Sequence, residues 1–294
     1  MCSYSHSTRG TSCATRLGPA VAGTNRSVGN TFSSRHFSEE MFDGRMDPLL
    51  MVDEFVMTGP TFAPHLHAGI SVVTVVLEDS IGDFLSRDTL GLEVQLKAGD
   101  LYWLAAAGGA AHEEKPGDDA RIHALQIFVD LPKCLKTQPA RAIHIQANDM
   151  VSLQEPTHRV RDLLARSNTI RGAGGMPEEM LMLDGVLDSG GIFEHQLGDN
   201  LQALIYAISG DLCVRCDGDR RHLSAGQATT IGAGVAIKVV LEAGQSAHFV
   251  LLSAKPLGES LKPVPLITAN TEDVPVEMSV DHGFVEFQPP PSAS

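Results

Sequence analysis

At 294 residues the chain has room for two domains of ordinary size, each with a substantial core. Acidic residues outnumber basic ones by 36 to 22, a formal charge of −14 at pH 7, which argues against direct nucleic-acid binding because phosphate contacts depend on Lys and Arg. No apolar run of about eighteen residues occurs, Met1 to Arg16 has no apolar h-region, and five scattered cysteines suit a reducing compartment, so a soluble cytoplasmic protein without a membrane partner is expected.

Residues 1–40 are polar, with Gly and Ser throughout, and predict loose strands with a mobile start. From Asp47 the texture changes. Pro48 to Phe55 reads as a buried strand closed by acids, followed by strands over Ile70 to Leu77, Leu92 to Leu96, Leu101 to Leu104 and Ile122 to Leu131. Gly-Asp, Gly-Gly and Pro-Gly-Asp-Asp signals separate them, and short strands at this spacing indicate a sandwich or barrel instead of alternating β and α units. Between 132 and 180 lies a connection marked by four prolines and Gly172-Ala173-Gly174-Gly175, in which Val160, Leu163 and Leu164 stand at helical spacing, so helix and strand compete.

The short-strand texture returns at Met180 and continues through Ile192 to Gln196, Leu201 to Ser209, Leu212 to Cys216, Ala228 to Ile231, Ala236 to Leu241 and Ala247 to Leu252. Its punctuation repeats that of the first half, which suggests a second copy of one architecture. A Pro-rich, acidic tail follows from Pro263 and is expected to be disordered. The expected organisation is therefore an N-terminal domain over 1–145, a connecting segment over 146–180, a C-terminal domain over 181–262 and a tail over 263–294.

Two pairs carry the chemistry. In Pro64-His65-Leu66-His67 the histidines are two apart, so on a strand both imidazoles project from one face. With twelve histidines in the chain, one such pair is close to what chance supplies. His112-Glu113-Glu114 repeats the spacing with an imidazole and a carboxylate. If both pairs face one cavity, three nitrogens and one oxygen surround a single ion, a set that suits Fe(II) or another divalent first-row metal as well as zinc. The bland alternative is four polar side chains at a barrel mouth, in contact with water. The second half has neither pair, so a copy there would lack the metal site.

With these motifs in hand, the chain resembles the pirin family, two-domain members of the cupin superfamily. The matching stretches are Arg45 to Phe55, Pro64 to His67, Ser86-Arg87-Asp88-Thr89-Leu90-Gly91, Gly99 to Trp103, His112 to Glu114 and His123 to Pro132. The resemblance implies an all-β bicupin of two stacked jelly-roll barrels, with one mononuclear iron held in the first by His65, His67, His112 and Glu114. It implies either dioxygenase activity on quercetin or a similar flavonol or phenol, or a non-catalytic, redox-responsive regulator of a transcription factor or metabolic enzyme. In the enzyme reading the substrates are a small phenolic molecule and dioxygen, and Glu114 is the general base, because the metal-held histidines cannot accept a proton. Two departures stand out. Ala68-Gly69 replaces an arginine that usually follows the second histidine, and Ala107-Gly108-Gly109 replaces a usual Gly-Arg-Gly.

Other residues are expected to be structural. Cys213 and Cys216 sit three apart on a strand and so face opposite sides. His195 and His248 are read as core or rim groups, Trp103 as a filler of the first core, and Glu113 as solvent-facing. His123 and Gln126 are candidates for orienting the ligands.

Overall fold

The computed structural model describes residues 15–164, 180–259 and 285–286. Among them are strands, two short 3-10 segments (Glu39–Phe42 and Ala147–Asp149) and no α-helix, so the all-β expectation holds. No helix among the described residues is long and apolar enough to cross a membrane.

The strands form four sheets in two pairs. In the first large sheet the order is Arg141–Ile145, Leu101–Ala105, Ile70–Val76, Ile122–Asp130, Leu49–Met57, Phe32–Ser38 and Thr24–Val28. Facing it is a smaller sheet of Val285–Glu286, His65–His67, Ala110–Pro116, Phe84–Asp88 and Glu93–Leu96. The second large sheet runs Val21–Ala22, Gln227–Ile231, Gln202–Ser209, Ala247–Ala254, Leu181–Leu187, His158–Asp162 and Val151–Glu155. Its partner holds Ile192–Leu197, Ile237–Glu242, Leu212–Cys216 and Asp219–Leu223.

The two large sheets pack on each other, which explains why Ile70–Val76 is a continuous apolar run instead of an alternating one. Val72 and Val76 face the interior of the first barrel, while Val73 and Val75 join a cluster with Leu204, Tyr206, Val250 and Leu252 of the second. Both faces are dry, so both sets must be apolar. Trp103 follows the same alternation. It is 1% exposed, but it belongs to the cluster between the barrels and not to the first core, where its neighbours Tyr102 and Leu104 point.

Other expectations need correction. Phe32–Ser38 is a firm strand whose Phe37 is fully buried between the barrels, so the segment before residue 40 is less loose than its polarity suggests. The segment His158–Asp162 is a strand, since its backbone pairs with Leu181–Leu187, and that sheet edge decides against the helical spacing of Val160, Leu163 and Leu164. In the tail, Val285–Glu286 pairs with the His65–His67 strand; the rest of 263–294 lies outside the described residues, as do Met1 to Ala14 and the Gly172 to Gly175 run.

Candidate metal centre

Strand register builds the site. His65 stands directly opposite His112, and His67 stands opposite Ala110, whose methyl side chain leaves space for the ring. Directly paired residues share a face, so two strands place three imidazoles together. Ring centroids are 4.7 Å apart for His65 and His67, 4.8 Å for His65 and His112, and 4.9 Å for His67 and His112. One ligand nitrogen from each lies within 4.8 Å of the others.

The chemistry of this donor set fits a metal ion. Nε2 of His67 and Nε2 of His112 are 3.1 Å apart. Two nitrogens bound at right angles to one ion at about 2.1 Å would be separated by roughly 3.0 Å. Burial, reinforced by the neighbouring imidazoles, pulls the His67 pKa far below its ordinary value, and burial followed by the influence of His65 pulls His112 to about 3. Both rings are therefore neutral at pH 7, which is the state a metal requires. Nδ1 of His65 lies 2.9 Å from the carbonyl of Ala63. A carbonyl only accepts, so Nδ1 carries the proton and Nε2 keeps its lone pair.

Glu114 lines the same cavity, two residues beyond His112 on the same face, but it stands outside the cluster of the three nitrogens. Thr74 Oγ1 donates to its Oε1 at 2.6 Å. Burial pushes the carboxyl up to about 7, against the opposing pull of that hydrogen bond. The group therefore exchanges a proton readily near neutral pH. Behind His112, Tyr102 lies nearly parallel to the ring and donates to Asp88 Oδ2 at 2.6 Å. Burial and Asp88 push the phenol far above its ordinary pKa, so Tyr102 stays protonated and supports the wall.

The cavity measures about 570 Å³ including its open mouth, and Phe32, Phe55, Phe62 and Phe128 line it together with Met51 and Met57. Phe62 at the rim is 43% exposed and meets Phe32 edge to face at 5.0 Å. Among the described residues no Lys or Arg lines it, in keeping with the two absent arginines. Gln126 does line it, whereas His123 points to the opposite face and bonds to Asp79 and Glu54. Glu113 also turns away from the cavity, but Arg87 and Lys115 hold its side chain, which is only 12% exposed.

Sequence reasoning missed Thr74, Asp53 and His36. Thr74 is one of two hydroxyls, with Ser71, in the apolar run Ile70–Val76, and Asp53 interrupts an apolar strand on its cavity-facing side. A polar residue at an inward position was the available signal. In the second barrel, His248 bonds to Asp184, His195 stacks on Phe193, and Cys216 is packed in the core while Cys213 is half-buried.

Fold and site together define a two-barrel cupin with a cluster of imidazoles in its first barrel. Within that class, the chain is similar to the pirin family: the family profile described as Pirin matches residues 19–129. Human Pirin is 26% identical over 231 residues, covering 78% of this chain and 79% of its own. Among solved structures, a quercetin 2,3-dioxygenase from Acinetobacter baumannii superposes with a TM-score of 0.72 at 22% identity, over 84% of this chain and 89% of its own. A bacterial pirin from Escherichia coli in complex with nickel(II) does so with a TM-score of 0.58 at 18% identity, over 82% and 98%.

Proposed function

We propose that this protein is a mononuclear metal-dependent dioxygenase acting on a flavonol or similar phenol, with His65, His67 and His112 as metal ligands. Glu114 serves as a fourth ligand or as the general base. The observation that carries the reading is the convergence of three buried or half-buried imidazoles, two of them held neutral, at the floor of an open, aromatic-walled cavity. Fe(II) is the proposed ion, because a histidine-and-carboxylate set of this kind suits redox chemistry with dioxygen. When bound, the ion would supply the means to bring dioxygen and an electron-rich ring into reaction.

The chain's own residues do the rest. Phe32, Phe55 and Phe128 offer flat apolar surface for a planar ring system, and they keep water from the floor. Glu114, with its raised pKa, takes the proton from a phenolic hydroxyl presented at its carboxylate, and Thr74 holds that carboxylate in place. The cavity's open mouth favours this reading over that of a regulator, which would not require access for a planar ligand.

The test is dioxygen uptake by the Fe(II)-loaded protein with quercetin, comparing wild type with Glu114→Gln and His67→Ala at matched protein concentration. Uptake in wild type that falls at least a hundredfold in both variants is expected. A protein that binds iron stoichiometrically and consumes no dioxygen with any flavonol would sink the proposal.

A further inference from the structure

A polar row crosses the otherwise apolar floor of the first barrel. His36 pairs with Asp53, Asp53 with Gln126, and Gln126 with Thr74, each directly opposite the next on four adjacent strands. Asp53, Gln126 and Glu114 line the cavity. At one end of the row, Thr74 is bonded to Glu114 beside the imidazoles. At the other, His36 Nδ1 lies 2.6 Å from Asp53 Oδ1, with only 9% and 14% of the two side chains exposed. Between them, Nε2 of Gln126 is buried without a hydrogen-bond partner. Strands lie about 4.8 Å apart, so Asp53 and Thr74, two strands from one another, are separated by roughly 10 Å.

The Asp53 carboxylate accepts and the neighbouring Gln126 Nε2 donates, so together they call for a ligand whose far end both donates and accepts, as a hydroxyl does. The charge around them restricts that group further. Whether His36 is neutral or protonated, the His36–Asp53 pair carries no net positive charge. Arg35, the nearest cation in sequence, is turned to Glu54 on the other face of the sheet, and Arg87 and Lys115 are taken up by Glu113. A ligand carboxylate brought here would be desolvated beside Asp53 with no Lys or Arg in the cavity lining to offset it.

We infer that Asp53 is the specificity-determining residue at the distal end of the cavity, selecting elongated aromatic ligands that end in a hydroxyl or other hydrogen-bond donor and rejecting those that end in a carboxylate. This deepens the reading above and rests on its assignment of the cavity as the ligand site. His36 acts through Asp53 as a positioning residue.

The experiment measures binding without turnover, on protein loaded with redox-inert zinc. Three probes are titrated and followed by their own fluorescence: 3-hydroxyflavone, its 4′-hydroxy derivative and its 4′-carboxy derivative. Wild type is expected to bind the hydroxy derivative at least tenfold more tightly than the carboxy derivative, and Asp53→Asn to bring the two within about threefold. Equal binding of the two by wild type overturns the inference even if the variant fails to fold, and so does a ratio unchanged in a folded Asp53→Asn. Failure of all three probes to bind overturns it as well. Lack of dioxygen uptake by the iron form, with the binding ratio intact, would remove the dioxygenase and leave the specificity of Asp53 standing.

Discussion

In the first barrel the row crossing the large sheet reads His36, Asp53, Gln126, Thr74; in the second, a comparable row reads Val160, Gly185, Phe249, Ala207. The Phe249 ring lies so close over Gly185 that a Cβ there would come within 2.4 Å of it, and Phe193 stacks on the same ring at 5.7 Å. One barrel thus fills its centre with aromatic and aliphatic groups, while the other keeps an open cavity and buries His67, Thr74, Ser86 and His112. Burying such groups is unfavourable unless they find partners. The same frame is thus used in two ways: the second barrel, whose large sheet packs against the first, has a filled interior, and the first keeps a cavity lined by imidazole, carboxylate and amide groups.

The sharpest break in that comparison is at the imidazoles. His112→Ala is expected to remove metal binding and lower dioxygen uptake at least a hundredfold, while the metal-free protein unfolds at nearly the wild-type apo temperature. Adding metal at a thousandfold excess over its dissociation constant should stabilise wild type by about 4 kcal/mol and the variant not at all. Thermal unfolding with and without metal, beside metal analysis, checks both.

Phe249→Ala reverses the pattern. Removing a fully buried ring from a filled barrel should destabilise by about 3–5 kcal/mol in a urea titration. Metal stoichiometry of the folded fraction should stay the same. Loss of metal in parallel with stability would mean that the two interiors are not separable as described. A smaller effect is expected at Thr74→Val, which keeps the shape of the side chain and removes the hydroxyl that holds Glu114. Activity should fall about tenfold, the scale of one buried hydrogen bond, with Thr74→Ser restoring most of it. Equal activity in the Val and Ser variants would show that the hydroxyl does not position the carboxylate.

Much of this was legible in the residues. Alternation and turn signals gave most of the longer strands, and the two-residue spacing of His65–His67 and His112–Glu114 placed four donor groups at one cavity, three of them in one cluster. What escaped was whatever depends on pairing between distant strands. Nothing near Thr74 in sequence says that residue 114 lies opposite it, and nothing near Asp53 announces Gln126. Trp103 was misplaced for a related reason: a strand with both faces buried gives no sign of which core each side chain enters. The stretch from His158 to Leu164 could mimic a helix because its three apolar positions, Val160, Leu163 and Leu164, are too few to separate a period of 3.6 from one of 2.

The contact between the barrels carries the smallest and most conditional effect. His123 Nε2 lies 3.0 Å from Glu54 Oε1, and Tyr206 of the second barrel donates to the other oxygen of Glu54. Burial lowers the His123 pKa, but its bonds to Glu54 and Asp79 outweigh that and raise it above the ordinary 6.5. Burial raises Glu54, but His123, Tyr206 and Arg35 outweigh that and hold it below the ordinary 4.5. The signs follow from linkage. The histidine's contribution is complete below pH 6.5 and is lost as pH rises through its raised folded value; the carboxylate's is complete above pH 4.5 and is lost as pH falls through its lowered one. Stability from this network is therefore greatest between about pH 4.5 and 6.5. His123→Gln should flatten the alkaline side, by an amount on the order of 1 kcal/mol or less, the scale of a half-buried ion pair. Trp103, the only tryptophan in the chain, is buried between the barrels, so its fluorescence in urea titrations across this pH range reports the effect at the interface. An alkaline limb identical in wild type and variant would assign the coupling to the apolar cluster alone.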